Sequence, residues 1–303
     1  MFVKVILAIT LMFFQSDLYA DTTAYGPAGF ETLNSSLAHE NPKMVLADKE
    51  IVFVAGFLNE FIFSYFEDFE RCLEKNWGVF DPILVRPSSN VPPWDASDWL
   101  REKLIRINQT SHKPLVIIAY SKGAIETLLT LLKYPELVTG GVVERFVAIN
   151  GAFKGSHIAD LIRGEGPISA SKTHREFLKR NFPGLWYSGK KEIGNKVAEV
   201  MSQVNEDDLK AVSSILYYSR SRTSGMRTAS YLLATNIYLQ RNYGDNDGIL
   251  LLDEQEPYGL GHDLGILNGV DHVDLVLTYP LSSMRATERY AFLDSLLKQI
   301  YRY

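Results

Sequence analysis

The sequence predicts an α/β protein: a mainly parallel sheet with helices on both faces and a helical cap insertion. Three observations lead there. From residue 50 onward, apolar β-rich runs alternate with segments of helical period, the rhythm of strands joined by crossover helices. The run at residues 115–118, Leu-Val-Ile-Ile, passes through Ala119-Tyr120-Ser121-Lys122-Gly123 directly into a pattern with Ala124, Ile125, Leu128, Leu129, Leu131 and Leu132 at helical spacing. That is a buried strand turning into a helix at one tight corner. From about residue 161 to 227 the alternation stops: the stretch reads as helical, is interrupted by Gly184, Gly189 and Gly194, and holds no convincing core strand.

In chain order, residues 1–20 are set aside as a cleavable signal peptide, with Lys4 as its positive start, residues 5–14 as its hydrophobic part, and Leu18-Tyr19-Ala20 as the cleavage site. This implies a secreted or periplasmic protein, a retained N-terminal anchor being the alternative. Residues 21–48, rich in small and polar types, read as an N-terminal arm, and residues 49–303 as the folded domain. Residues 50–57 form the first strand, ending at Gly56; an unbroken apolar run of this kind is buried on both faces. A helix follows over 64–77, then a strand at 82–85, and a loop at 88–94 broken by Pro92-Pro93. The next helix, capped by Asp95 or Ser97, carries Leu100, Leu104 and Ile107 on one side. After the corner at Ser121 a strand is expected at 144–150, and the sheet is expected to resume at 230–236. Residues 284–301 close the chain as an amphipathic helix buried through Phe292, Leu293, Leu296, Leu297 and Ile300.

Composition narrows the function. The 303 residues are 46% hydrophobic and 22% charged, with a formal charge of −5, which gives no reason to expect nucleic acid as a partner. Cys72 is the only cysteine, so no intrachain disulfide can form, and its helical surroundings mark it as a buried structural thiol. Neither His-Glu-x-x-His nor clustered Cys/His spacing is present, so no metal is expected. Gly56 is not part of a G-x-G-x-x-G string, and no cofactor is expected either.

A serine at the tip of a strand-to-helix corner, with small residues two before and two after, matches the G-x-S-x-G nucleophile elbow. Ala119 and Gly123 supply the small residues around Ser121. A serine hydroxyl attacks an ester at neutral pH only with a general base beside it, and that base needs an orienting carboxylate. The order on such a fold is Ser, then Asp or Glu, then His. Of the histidines after Ser121, His157 and His174 precede the carboxylate-rich loop at 244–249, His262 lies in a glycine-broken connection, and His272 follows an apolar segment at 264–270. His272 is therefore the candidate base. Asp247, followed by Gly248, is preferred as the acid over Asp245, which stays the alternative. Backbone N–H groups of Phe57, at the end of the first strand, and Lys122, next to the serine, are the candidate oxyanion donors. The insertion, above the sheet's C-terminal edge, would be a cap or lid shaping an acyl pocket with Phe182, Leu185, Trp186 and Tyr187, an ordinary helical subdomain without a gating role being the alternative.

Ala119 to Gly123, Asn150-Gly-Ala-Phe-Lys-Gly-Ser-His-Ile-Ala-Asp160, Asn246-Asp-Gly248 and Gly269-Val-Asp-His272 together resemble the secreted triacylglycerol lipase and esterase branch of the α/β-hydrolases. The resemblance covers roughly residues 50–280 and is weakest in the insertion. Many members carry His-Gly at the oxyanion strand, where this chain has Ala55-Gly56. The resemblance implies a Ser121, Asp247, His272 triad acting on small-molecule or lipid carboxylic esters, with transient contact with a lipid surface. A thioesterase or polyester depolymerase would use the same three residues, and a hydrolase-fold protein that only binds a lipid or a partner is the non-catalytic alternative.

Overall fold

The computed structural model describes residues 42–62, 64–165, 171–181, 183–224, 228–278, 281–282 and 284–301. The expected signal peptide and most of the expected N-terminal arm lie outside these residues, as does Phe182. The elements run α1 (Pro42–Val45), β1 (Glu50–Val54), α2 (Glu67–Cys72) continued by one π-helical turn (Leu73–Trp77), β2 (Ile83–Val85), α3 (Ala96–Ser111), β3 (Leu115–Tyr120) and α4 (Lys122–Lys133). They continue through α5 (Glu136–Thr139), β4 (Val143–Ile149), α6 (His157–Ile162), α7 (Lys172–Asn181), α8 (Pro183–Trp186), α9 (Lys190–Met201) and α10 (Glu206–Ile215). The last four are β5 (Leu216–Arg222), α11 (Leu233–Asn242), β6 (His262–Asn268) and α12 (Ala286–Ile300).

All six strands pair in parallel, in the order β2-β1-β3-β4-β5-β6. After β2 is laid on one side of β1, the chain crosses back and lays β3 on the other. In an open parallel sheet that reversal opens a crevice at the carboxyl ends of the two strands.

The two-residue period of the strands sorts their side chains into two cores. Ile51, Phe53, Val116, Ile118, Val147 and Ile149 face one layer, where α2 and α12 pack: Phe53 stacks on Phe66 at 4.5 Å and Phe69 meets Phe292 at 6.1 Å. Val52, Val54, Ile117, Ala119, Phe146 and Ala148 face the other, filled from α3 and α4 by Leu100, Leu104 and Leu128 and from α9 and α10 by Val197 and Val212. Cys72 is fully buried in the first layer, and burial pushes its thiol up to about 11.

Two expectations are corrected. Residues 230–236 are not a strand: they lead into α11, and Leu232, Thr235, Asn236 and Leu239 are the buried positions, a stripe of helical spacing. The strand of that part of the sheet is β5, which lies inside the stretch expected to hold none and pairs with β4 and β6. Its sequence, Leu-Tyr-Tyr-Ser-Arg-Ser-Arg, looks unlike a core strand because it carries two arginines. Both are neutralised locally, Arg220 by Asp263 of β6 and Arg222 by Asp245, with Arg222 Nε also donating to Asn268 Oδ1 at 2.6 Å.

The corner between β3 and α4 is set by close backbone approach. Ser121 sits at φ 54°, ψ −122°, a conformation that side chains rarely adopt. A Cβ on Gly123 would stand 2.5 Å from the carbonyl oxygen of Ala55 in the neighbouring loop. Residues 122–132 of α4 are all buried. Among them Lys122 and Glu126 form an ion pair one turn apart, and the Lys122 Nζ also donates to Ser88 O at 3.2 Å. Burial outweighs the attraction of Lys122 and pushes the Glu126 carboxyl up to about 7.

Gly123→Ala should therefore cost about 1–3 kcal/mol of stability by overpacking. Gly194→Ala, at a helical position where a Cβ meets nothing within 4 Å, should gain about 0.5–1 kcal/mol; urea unfolding reads both. Because the native Glu126 holds its proton above the ordinary value of 4.5, the native state binds more protons than the unfolded state between about pH 4.5 and 7. Stability from this group thus falls as pH rises through that window, by on the order of 3 kcal/mol. Glu126→Gln should flatten that part of the pH–stability curve, measured by urea unfolding at intervals between pH 4.5 and 8.

Candidate active site

Three chain segments meet at the crevice between the ends of β1 and β3. The first is the β3–α4 corner. Ser121 N donates to Ile149 O at 3.1 Å, and Ser121 O accepts from Ala124 N and Ala152 N at 3.1 and 3.2 Å. The hydroxyl is carried on a backbone tied to both the next strand and the following helix.

The second segment is the carboxylate loop. It lies well beyond β5 in sequence, yet Thr223 N donates to Asn246 O at 2.8 Å and folds the loop back onto that strand's end. Asn246 holds the turn from within: its Oδ1 accepts from Asn236 Nδ2 and Gly248 N, both at 2.9 Å. Gly248 takes φ 98°, which glycine adopts without strain. Asp247 is fully buried; its Oδ1 accepts from Ile249 N at 3.0 Å and Leu250 N at 2.7 Å. Asp245, the alternative acid, instead pairs with Arg222 at the surface.

The third segment follows β6. Gly269 turns the chain at φ 72°, and its N–H donates to Arg222 O at 2.8 Å. Asp271 organises the next turn by accepting from Val273 N, Asp274 N and Ala229 N at 3.0, 3.1 and 2.7 Å. Burial, with Asp274 beside it, holds the Asp271 carboxyl well above the usual carboxylate range. His272 is fixed at three points of its own backbone. Its N–H donates to Asp247 O at 2.8 Å, and its carbonyl accepts from Tyr120 Oη at 2.8 Å and Asn150 Nδ2 at 3.3 Å.

These constraints bring the imidazole between the other two groups. His272 Nδ1 lies 2.7 Å from Asp247 Oδ2, and His272 Nε2 lies 2.9 Å from Ser121 Oγ. An ionised Asp247 is an acceptor only, so Nδ1 carries the hydrogen and Nε2 is left to accept the serine proton. Ser121 and His272 are 8% and 5% exposed, so the pair is shielded from bulk water but reachable from the cavity they line. Of the other histidines, His157 bonds to buried Glu254, and His262, exposed at the start of β6, stacks on Tyr217.

Phe57 and Lys122 line the same cavity as Ser121. Lys122 is the first residue of α4, where an N–H has no intrahelical acceptor. Gly56 leaves the space between: a Cβ there would stand 2.9 Å from the Tyr120 ring and 3.0 Å from Ser121 Cβ. The cavity, about 220 Å³, is walled by apolar side chains that come from both layers of the protein. Ile62 and Leu277 belong to one layer; Ile125 belongs to the other, and Ile158 and Leu185 come from α6 and α8. The described residues expected to shape an acyl pocket divide. Leu185 lines the cavity, but Trp186 lies under the Arg163 guanidinium at 5.1 Å and Tyr187 packs edge-on against Trp94 at 5.6 Å.

Sequence reasoning missed the residues that hold the Phe57 loop and the His272 carbonyl. Tyr120 sits inside the elbow string itself, and its period-two position on β3 puts it on the layer opposite Ala119.

No protein-family model and no curated protein sequence matches the chain. Solved structures do. The metagenomic carboxyl esterase MGS0156 superposes with a TM-score of 0.63 at 20% identity, covering 84% of this chain and 76% of its own. The mature lipase BlEst2 of Bacillus licheniformis gives 0.58 at 17% identity, covering 87% and 96%. The phospholipase PlaB of Legionella pneumophila gives 0.60 at 11% identity, with 84% of this chain spanning 59% of that one. The structural neighbours are thus carboxyl esterases and lipases, and identities this low speak for architecture alone. With its six parallel strands and the Ser121 elbow at the topological switch point, the chain has the α/β-hydrolase fold.

Proposed function

We propose that the protein is a serine hydrolase of carboxylic esters, with Ser121 as nucleophile, His272 as general base and acid, and Asp247 as the carboxylate that orients the imidazole. The observation that carries this reading is the unbroken hydrogen-bonded line from Ser121 Oγ through His272 to Asp247, opening into an apolar cavity. In the first step His272 Nε2 takes the Ser121 proton while Oγ bonds to the ester carbonyl carbon, and the carbonyl electron pair moves onto oxygen. The N–H groups of Phe57 and Lys122 hold that oxyanion. Collapse of the intermediate breaks the bond to the alcohol, which leaves with the proton from His272. Water then repeats the sequence on the acyl-enzyme, releasing the acid and restoring Ser121.

The walls favour an ester with a hydrocarbon acyl or alcohol part, because burying apolar surface contributes about 25 cal/mol per Å². The carboxyl esterase and lipase neighbours support the same substrate class. We also propose export through residues 1–20 and a pocket-covering role for α8, whose Leu185 lines the cavity, while α9 and α10 pack on the sheet beside α4.

A fluorophosphonate probe should label the wild type and not Ser121→Ala, and kcat on p-nitrophenyl butyrate should drop by about 10⁴- to 10⁶-fold in that variant. Asp247→Asn should lose about 10³- to 10⁴-fold through the wrong imidazole tautomer, whereas Asp245→Asn should stay within about threefold of wild type, since Asp245 makes only a surface ion pair. A wild type that neither labels nor turns over short esters would instead favour the non-catalytic, ligand-binding alternative.

A further inference from the structure

The turn that carries the Phe57 N–H is gripped from behind by one buried amide. Asn59 Nδ2 donates to Gly56 O at 2.8 Å and to Pro87 O at 2.7 Å. Both of its amide hydrogens are thereby used, on a side chain of a residue only 2% exposed. The reverse orientation of the amide would set Oδ1 against two carbonyl oxygens, so the donors are on the side stated.

In a trans peptide the C=O and N–H bonds point in opposite directions. Holding Gly56 O against Asn59 therefore turns the Phe57 N–H away from Asn59; the same turn runs beside Ser121, whose Cβ is 3.0 Å from where a Gly56 Cβ would stand, and Phe57 and Ser121 line one cavity. Among the described residues the Phe57 N–H bonds to no acceptor. The next peptide is held as firmly, for Phe57 O accepts from Tyr65 Oη and Leu58 N donates to Ser89 Oγ, both at 2.7 Å. Both peptide planes around Phe57 are thus set by side chains, and Leu58 at φ 63° follows in the left-handed region. The support reaches back to the end of β2: Arg86 Nη1 donates to Asn59 O and Ile62 O at 2.5 and 2.8 Å.

We propose that Asn59 is a positioning residue: by fixing the Gly56 carbonyl it aims the Phe57 N–H at the oxygen on which negative charge develops. This rests on the ester-hydrolase reading above. The requirement is for two donors on one short planar group, which asparagine meets. Aspartate has the same shape but, ionised, only accepts, so it would repel both carbonyls and favour a turned peptide whose N–H faces the carboxylate. The donor would then be withdrawn from the cavity.

The test is Asn59→Asp, with active sites counted by fluorophosphonate labelling. The kcat per labelled site on p-nitrophenyl butyrate should fall by about 10²- to 10³-fold, the loss expected for one oxyanion donor, while KM changes by less than about threefold. The Ki of butylboronic acid, whose tetrahedral serine adduct needs the same donors, should rise in step with that fall. Tyr65→Phe, which leaves Asn59 in place and removes only the hydroxyl on Phe57 O, should give a smaller loss of about 3- to 10-fold in kcat with a matching rise in boronate Ki. Should Asn59→Asp not fold, Asn59→Ala, which removes both donors without adding a charge, carries the test with the same two readouts, and wild-type kcat per labelled site in it would equally overturn the assignment. Wild-type kcat per labelled site in Asn59→Asp, or a lowered melting temperature with boronate affinity unchanged, would overturn the assignment while leaving the hydrolase reading intact. A wild type that does not label would remove both.

Discussion

The structure depends on one close approach. Where β3 becomes α4, the backbone at Gly123 lies so near the end of β1 that a single added carbon would stand 2.5 Å from Ala55 O. That contact requires glycine at position 123, and beside it Ser121 takes a positive φ and α4 starts at Lys122. The strain at Ser121 persists because the strand behind it is paired on both sides, with β1 and with β4. Nucleophile placement and sheet packing are consequences of the same geometry.

Around that corner, almost every catalytic candidate is located by its main chain rather than by its side chain. The Asp247 loop is bridged to Thr223, the His272 turn is tied to Arg222 and Asp247, and the Phe57 turn is clamped by Asn59, Tyr65 and Ser89. Individually such bonds contribute about 1 kcal/mol each to stability. Their larger effect is positional, because reacting groups misplaced by about 1 Å lose much of their rate. The apolar walls of the cavity complete the arrangement by lowering the local polarity around the serine–imidazole pair, which strengthens each polar contact inside it.

Legibility in the sequence followed the locality of the signal. The Ser121 corner, the strands at 50–54 and 143–149, and the buried stripe of α12 were readable because apolar period and small-residue spacing are local properties. Chain order then narrowed the base to His262 and His272 and the acid to the loop at 244–249; strand-end position favoured His272, which the fold brings to Ser121 together with Asp247. What misled was charge and hydropathy taken without partners. Residues 230–236 looked like a strand because their apolar content is high, yet the buried positions follow a helical stripe. Strand β5 looked like anything else, because Arg220 and Arg222 are acceptable in a sheet only once Asp263, Asn268 and Asp245 lie beside them.

By itself the sequence determined the alternation of strands and helices, the corner at Ser121 and the order of the three candidate groups, since each depends on neighbours within a few residues or on chain order. The choice between Asp245 and Asp247, the place of β5 in the sheet, the inward turn of Leu185 with Trp186 and Tyr187 directed elsewhere, and the grip of Asn59 on Gly56 were decided only by tertiary structure. Each of these turns on which groups distant in sequence come within bonding distance, and no local pattern encodes that.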